Sequence, residues 1–172
     1  ARYNGAEVVT IAPDYSPSAM HADEWVPVEA GADAALGLGA CQVLMANGWI
    51  DAPFVKEQTD LPLLVRKDNQ RFLRVADLED GGRDDQFYYW DEKRGKPVAA
   101  ELSTLKLNCD PALTGEFAVT LAGGSRVTVT PVYQVLKSLL DSKYTPEQAA
   151  QLCKTHPDTI RRLAQKCRKA MG

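Results

Sequence analysis

The fold is indicated by a stretch near the start of the chain, Val8-Val9-Thr10-Ile11-Ala12-Pro13-Asp14-Tyr15-Ser16. β-Branched residues fill its first four positions, which favours a β-strand over residues 7–11. Pro13 has no N–H group to donate to a central ladder, so we expect the strand to stop there. The turn-forming residues that follow, as far as Ser18, predict a loop.

A strand–helix unit is predicted around this stretch. Trp25-Val26-Pro27-Val28 indicates a second extended piece, and Gly31-Ala32-Asp33 precedes apolar residues that recur at helical spacing as far as Gly48. Asp33 stands where an N-cap of that helix is expected. Asp51 is predicted to open a second, short helix over Ala52–Gln58, in whose first turn Pro53 is tolerated.

The middle and the end of the chain have different patterns. Short extended pieces between charged turns predict an antiparallel β-rich region, and Gly123-Gly124 between residues 117–121 and 126–130 predicts a hairpin. From Pro131 onward the apolar residues recur at helical spacing. The predicted fold class is therefore α/β, with a Rossmann-like strand–helix unit at 1–58, a β-rich insert at 59–130 and a helical segment at 131–172.

Composition excludes several classes of protein. The 20 Lys and Arg residues and 23 Asp and Glu residues give a net charge of −3, which is not the basic excess of a general nucleic-acid binder. No window approaches the roughly 18 consecutive apolar residues of a membrane-spanning helix. The four cysteines form no metal-binding pair, and three of them lie in apolar helical patterns that predict buried thiols: Cys41, Cys153 and Cys167.

The candidate ligand site is formed by two junctions, the loop after Pro13 and the helix start after Gly31. In open α/β sheets, ligands bind beyond the carboxyl ends of the strands, and glycine permits a close backbone approach. The carboxylates of Asp14 and Asp33 would accept from the N–H groups of a base or from a ribose hydroxyl. Spacing alone leaves a structural explanation open, in which Asp33 is only an N-cap and Asp14 only a turn former.

These same residues resemble the catalytic subunits of the dimethyl sulfoxide reductase family of molybdenum enzymes. The likeness is strongest at Ala12-Pro13-Asp14-Tyr15-Ser16 and at Gly31-Ala32-Asp33. Within the family the sequence is similar to the type II branch, because that branch has a Pro-Asp-Tyr turn where others have Asp-Pro-Arg. The type II branch includes nitrate, selenate and (per)chlorate reductases and dimethyl sulfide and ethylbenzene dehydrogenases. Further similar stretches lie at 51–66, 90–93, 144–147 and 160–164.

The resemblance implies a cofactor and a set of residues that bind it. In such enzymes molybdenum is held by two molybdopterin guanine dinucleotides, and a segment like this one holds the guanosine end of one of them. Asp33 would then accept from the amino and ring N–H groups of guanine. The implied cofactor-binding residues are Pro13, Asp14, Tyr15, Ser16, Gly31 and Asp33.

Two residues depart from the family pattern. Ala32 stands where the family usually has Thr, which removes one hydroxyl from the loop before Asp33. Ala12 stands where many relatives have Asp, which weakens a ribose contact unless Asp14 replaces it. These departures favour an alternative, a stand-alone, non-catalytic module that binds a guanine nucleotide or another protein. A free-standing nicotinamide-dependent dehydrogenase is disfavoured, because the first strand lacks the Gly-x-Gly-x-x-Gly turn.

The resemblance also implies what other parts of a parent enzyme would supply. The family's iron–sulfur cysteine cluster and the molybdenum-binding Asp of the type II branch have no counterpart here, so no residue is predicted to be catalytic or to bind a metal. This chain is therefore expected to be an inactive internal fragment of a larger multidomain enzyme. Its expected partners are the parent's remaining domains and an iron–sulfur electron-transfer subunit. The expected location is periplasmic, or membrane-associated on the cytoplasmic face without insertion.

Three other features have simpler explanations. His21 is expected to be a loop residue, and the aromatic stretch Phe87-Tyr88-Tyr89-Trp90 is expected to lie in a core, although it could line a channel or contact a partner. A basic cluster near the end of the chain is expected to face solvent, with an acidic partner subunit as the alternative. Its members are Arg161, Arg162, Lys166, Arg168 and Lys169.

Overall fold

The computed structural model describes residues 4–101, 107 and 109–170, which form two compact units. The first, here called the split unit, combines Ala1–Trp49 with Leu139–Gly172, and the second, the continuous unit, is Ile50–Ser138. The α/β fold class is confirmed by the mixture of helices and open sheets. The three-part division at residues 58 and 130 stays a prediction.

Seven strands and seven helices are found in the described residues. In chain order they are β1 (Val9–Ala12), α1 (Pro17–Met20), β2 (Glu24–Pro27), α2 (Asp33–Ala46), α3 (Ala52–Gln58), β3 (Leu64–Arg66), α4 (Val75–Leu78), β4 (Tyr88–Asp91), β5 (Lys96–Ala99), β6 (Phe117–Thr120), β7 (Arg126–Pro131), α5 (Val132–Lys143), α6 (Pro146–Cys153) and α7 (Pro157–Ala170).

The split unit is built on a parallel strand pair. β1 and β2 pair from Val9 opposite Glu24 to Ala12 opposite Pro27, and β1 ends directly before Pro13, as the sequence predicts. The core beneath them contains Val26, Leu36 and Ile160, from β2, α2 and α7. The predicted strand–helix unit is therefore present, and the last two helices of the chain complete its core.

Helix α2 packs closely against α6 because it has a glycine at the contact. A Cβ atom on Gly39 would lie 2.7 Å from the Cβ atom of Ala149 and 3.2 Å from Cγ2 of Ile160. Both are parts of buried side chains that have little room to move. Gly39 is thus required for the distance between the two helices, whereas a Cβ atom on Gly37 in the same helix would meet no atom within 4 Å.

The basic cluster of α7 is largely engaged in ion pairs within the split unit. Arg162 donates to Glu24 through Nε at 2.8 Å, and Lys166 lies 2.6 Å from the other carboxylate oxygen of Glu24 and also pairs with Glu7. Arg168 lies over the Trp49 ring, 5.1 Å from its centroid. The cluster faces solvent, as expected, with Arg162, Arg168 and Lys169 exposed. The ion pairs of Arg162 and Lys166 in addition join α7 to the strands.

The continuous unit is antiparallel, as predicted. β6 and β7 form the hairpin around Gly123-Gly124, with Thr120 opposite Arg126, and β3 pairs with the other edge of β7. β4 and β5 form a second antiparallel pair. The aromatic stretch is confirmed as core, because Tyr88 is buried and Trp90 stacks on Phe117 with ring centroids 4.1 Å apart.

Two of the three cysteines predicted to be buried are exposed. Cys153 is fully buried, but Cys41 and Cys167 reach the surface. Apolar residues occur on all sides of α2, so helical spacing does not identify its buried face. Cys167 lies in the last turn of α7, beyond Ala164, the last buried residue of that helix.

Alanine substitutions at the two glycines of α2 should have opposite effects on stability. Alanine is favoured over glycine in a helix by roughly 1 kcal/mol, so we expect Gly37→Ala to stabilise the chain by about 0.5–1 kcal/mol. Gly39→Ala should destabilise it, because overpacking of about 1–3 kcal/mol exceeds that gain. Chemical denaturation followed by circular dichroism measures both variants. Equal stabilisation by the two would contradict the close contact with α6.

The ion pairs of Glu24 should make stability depend on pH. Hydrogen bonds from Arg162 and then Lys166 hold the pKa of the Glu24 carboxyl below its usual value of 4.5. Their contribution is fully present above pH 4.5 and is lost as the pH falls through the lower folded value. We expect Glu24→Gln to be less stable than wild type at neutral pH, with a difference that shrinks under acid conditions. Glu29→Gln, at an exposed carboxylate, serves as the control.

Candidate functional site

The carboxyl ends of β1 and β2 open on a cleft of the split unit. The cleft has a volume of about 390 Å³. Parallel strands end at the same edge of a sheet, which is where α/β proteins bind ligands. Its lining residues are Pro13, Pro27, Val28, Glu29, Ala30 and Lys154.

The turn after β1 is held by an aromatic pair. Trp25 on β2 donates its indole N–H to the carbonyl oxygen of Ala12 at 3.1 Å. The ring of Tyr15 meets the Trp25 ring edge-on, with centroids 5.3 Å apart, while 60% of Tyr15 remains exposed. Within the turn, the backbone N–H of Ser16 donates to the carbonyl of Asp14 at 3.0 Å. The turn therefore has a defined shape and an aromatic surface open to a ligand.

The loop between β2 and α2, here called the second loop, is held by hydrogen bonds with Cys153, the last residue of α6. The carbonyl of Cys153 accepts from the backbone N–H of Glu29 at 2.8 Å, and its thiol lies 3.5 Å from the carbonyl of Ala32. Burial, and secondarily the nearby carboxylate of Asp33, raises the pKa of this thiol, which keeps it protonated as a donor. Gly31 has a φ of +84°, a left-handed conformation that glycine adopts without strain.

Asp33 does not cap α2, so that prediction is wrong. The N-cap residue is Ala32, which has no side-chain hydrogen bond to offer, and Asp33 is the first residue of the helix. The Asp33 carboxylate is exposed, and in the described part of the chain it accepts no hydrogen bond and forms no ion pair. A carboxylate at this position is stabilised by the helix dipole and remains free to accept from a ligand.

The structure brings the predicted site residues to one edge of the parallel pair. Of the six, only Pro13 lines the cleft itself. Asp14, Tyr15 and Ser16 follow it in the turn before α1. Gly31 lies in the second loop, and Asp33 is the first residue of α2. Among the hydrogen bonds and ion pairs of the described residues, none involves the carboxylate of Asp14. Both predicted carboxylates are thus available as acceptors at this edge.

Sequence reasoning missed Lys154, which lines the cleft. Lys154 is the C-cap of α6 and has a left-handed backbone, with φ +56° and ψ +33°. No motif surrounds it in the sequence. The one available signal was its place directly after an apolar helical pattern and shortly before Pro157, where a helix usually ends in a left-handed residue.

The described residues provide neither a cluster of metal ligands nor a membrane-spanning helix. No three His, Cys, Asp or Glu side chains there are grouped so that they could hold a metal ion. No helix among those described has the length and apolar character needed to cross a membrane. His21, which follows α1, is exposed.

Several alpha subunits of known enzymes are similar to this chain. The chain is 43% identical to the dimethylsulfide dehydrogenase alpha subunit of Rhodovulum sulfidophilum over 168 residues, and 44% identical to the chlorate reductase alpha subunit of Ideonella dechloratans over 171 residues. It is 37% identical to the perchlorate reductase alpha subunit of Dechloromonas aromatica (strain RCB) over 190 residues. No family model matches the chain.

The similarity covers nearly all of this chain and a small part of each relative. The alignments include 94%, 95% and 95% of the chain but 18%, 18% and 20% of the three relatives. The chain therefore corresponds to a segment of these catalytic subunits. These relatives are alpha subunits of the dimethyl sulfoxide reductase family of molybdenum oxidoreductases, and this chain is homologous to one segment of them.

Proposed function

We propose that this chain holds the guanosine end of a molybdopterin guanine dinucleotide in the catalytic subunit of a molybdenum oxidoreductase. The observation that carries the proposal is the exposed Asp33 carboxylate, which has no partner in the described residues and lies in the first turn of α2. The loop before it borders the cleft at the strand ends. This is the edge at which α/β folds bind nucleotides.

The chemistry of Asp33 fits guanine. Guanine presents a ring N–H and an exocyclic amino group side by side, and one carboxylate can accept from both. Hydrogen bonds that involve a charged acceptor are stronger than neutral ones. Adenine lacks this pair of donors, so the same carboxylate discriminates between the two bases.

The other site residues fit the remainder of a nucleoside. Gly31 gives the second loop a backbone shape that leaves space around its Cα atom, since a Cβ atom there would meet nothing within 4 Å. Asp14 can accept from a ribose hydroxyl, which compensates for Ala12 at the preceding strand end. The exposed ring of Tyr15, held by Trp25, offers an apolar surface for a ribose or base.

These residues fit the nucleotide end of the cofactor and leave the metal to other parts of the parent. The cofactor supplies the oxidation–reduction chemistry at its molybdenum end. This chain's residues bind and orient the opposite end, and none of them is assigned a catalytic role. The iron–sulfur cluster that family members bind is likewise assigned to parts of the parent outside this chain.

The activity of the whole protein follows from the same proposal. The parent would move two electrons, together with an oxygen atom or its hydroxylation equivalent, and pass the electrons to an iron–sulfur partner subunit. The relatives act on different substrates, as their names state, and we assign substrate choice to parts of the parent outside this chain. We place the parent in the periplasm or on the cytoplasmic face of the membrane, in anaerobic respiration.

One observation favours a second candidate, a non-catalytic module that binds a guanine nucleotide or a protein. Ala32 caps α2 without a side-chain hydrogen bond, and its methyl group offers none to a ligand. A module of this kind would bind a guanine nucleotide without a pterin. Mass spectrometry of small molecules released from the purified full-length protein distinguishes the two, because only the cofactor role yields a pterin.

Substitution of Asp33 should remove guanine selectivity. We expect the wild-type chain to bind guanosine diphosphate in preference to adenosine diphosphate, measured by chemical-shift changes in an NMR titration. Asp33→Asn replaces one acceptor with an N–H₂ donor that faces the donors of guanine, so we expect affinity for the guanine nucleotide to fall about tenfold. Because Asp33 is not a side-chain cap, the cost in stability should be only about 0.3–1 kcal/mol.

The matched control is Asp80→Asn, which changes an exposed carboxylate in the continuous unit. It should leave both affinities as they are in wild type. Equal affinity of Asp33→Asn and wild type for guanosine diphosphate would remove Asp33 from the site. Equal affinity of the wild-type chain for both nucleotides would refute recognition of the base by this edge.

A further inference from the structure

We propose that Lys154 binds the phosphate groups of the nucleotide that occupies the cleft at the ends of β1 and β2. The inference rests on the proposed function, because it assigns a second part of the same ligand to a residue outside the predicted site. Asp33 would select the base, and Lys154 would supply the positive charge for the phosphates. Three features of the molecule support this role: the backbone of Lys154, its attachment to the loop and the charges at this edge.

The backbone places Lys154 in an uncommon conformation. Its φ of +56° is one of two positive values among non-glycine residues in the described ranges, the other being that of Gln70. Its N–H donates to the carbonyl of Ala150, which ends α6 in the manner usual for glycine. Glycine would adopt this left-handed conformation without a steric cost, whereas lysine has that cost. A role for the lysine side chain would explain why lysine is found at this position.

The position of Lys154 is fixed relative to the second loop of the site. Its neighbour Cys153 is fully buried and contacts that loop twice, through Glu29 N–H at 2.8 Å and Ala32 carbonyl at 3.5 Å. Lys154 and the loop that leads into Asp33 therefore belong to one hydrogen-bonded assembly. A nucleotide base at Asp33 would have its phosphates beside a cation held by the same contacts.

The acidic residues at this edge would repel a diphosphate unless a cation were present. Glu29 lines the cleft, the carboxylate of Asp14 lies in the turn after β1, and that of Asp33 lies at the start of α2. Three negative groups repel a diphosphate, whose own charge is negative. Lys154 is the cation that lines the cleft, and the described ion pairs include none to it. By contrast, Arg162 and Lys166 do not line the cleft and are paired with Glu24, the first residue of β2.

The experiment compares a nucleoside with its diphosphate. Guanosine and guanosine diphosphate share the base and ribose, so the difference in their affinities isolates the phosphates. The chain is titrated with each by NMR, as wild type and as Lys154→Met, which keeps much of the side-chain length but removes the charge. Lys154→Arg restores the charge, and Lys143→Met removes an exposed lysine from the last turn of α5 as the matched control.

We expect Lys154→Met to weaken guanosine diphosphate binding about threefold to tenfold, the range of a partly exposed charged contact, and to leave guanosine binding unchanged. Lys154→Arg should bind the diphosphate within about twofold of wild type, and Lys143→Met should match wild type. Added salt should reduce the wild-type preference for the diphosphate and should have little effect in Lys154→Met, because the charged contact is screened.

The outcomes separate this inference from the function on which it rests. Diphosphate binding by Lys154→Met that equals wild type, with Asp33→Asn still impaired, overturns the role of Lys154 and retains the proposed function. An equal loss for guanosine and its diphosphate also overturns it, because the effect would then be structural. Failure of the wild-type chain to bind either ligand overturns both. In the full-length subunit, Lys154→Met should also release less guanine nucleotide per protein after acid treatment.

Discussion

The close contact between α2 and α6 at Gly39 is the constraint on which the split unit depends. Because Gly39 has no side chain, the two helices approach until Ala149 lies against the α2 backbone. This approach brings the end of α6 to the start of α2, where Cys153 reaches Ala32 and Glu29. The shape of the second loop, and with it the floor of the cleft, therefore follows from one missing methyl group in the middle of a helix.

The site combines rigid backbone with unpaired side-chain charge. The turn after β1 is fixed by the indole of Trp25, and the loop before α2 by Cys153, so the backbone at both positions is ordered without a ligand. The carboxylates of Asp14 and Asp33 at the same edge have no partners in the described residues. Because both are exposed, water solvates them, and the free-energy cost of leaving them unpaired is small. A site with a fixed backbone and solvated side-chain acceptors is suited to a polar ligand, which replaces the water molecules bound to those acceptors.

Much of the fold could be predicted because its signals are local. Pro13 ended β1, Gly123-Gly124 marked the hairpin, and the helical spacing after Pro131 identified α5 to α7. β5 was missed, since Lys96 and Pro97 are poor strand residues and it forms only by pairing with β4. Residues 71–74, in the same β-rich region, make only isolated bridges and form no strand. Lys154 was missed for a similar reason: its place beside the cleft depends on contacts between residues more than 100 positions apart.

The order of the split unit along the chain has a consequence for its synthesis. α2 emerges from the ribosome about 100 residues before α6 and α7, which supply the other side of its core. At translation rates of about 5–20 residues per second, the apolar surface of α2 waits for about 5–20 s without its partners. The continuous unit, Ile50–Ser138, is complete before those helices appear and can fold during that interval. Chaperone dependence during translation is therefore expected to fall on the first 49 residues, whose fold closes last.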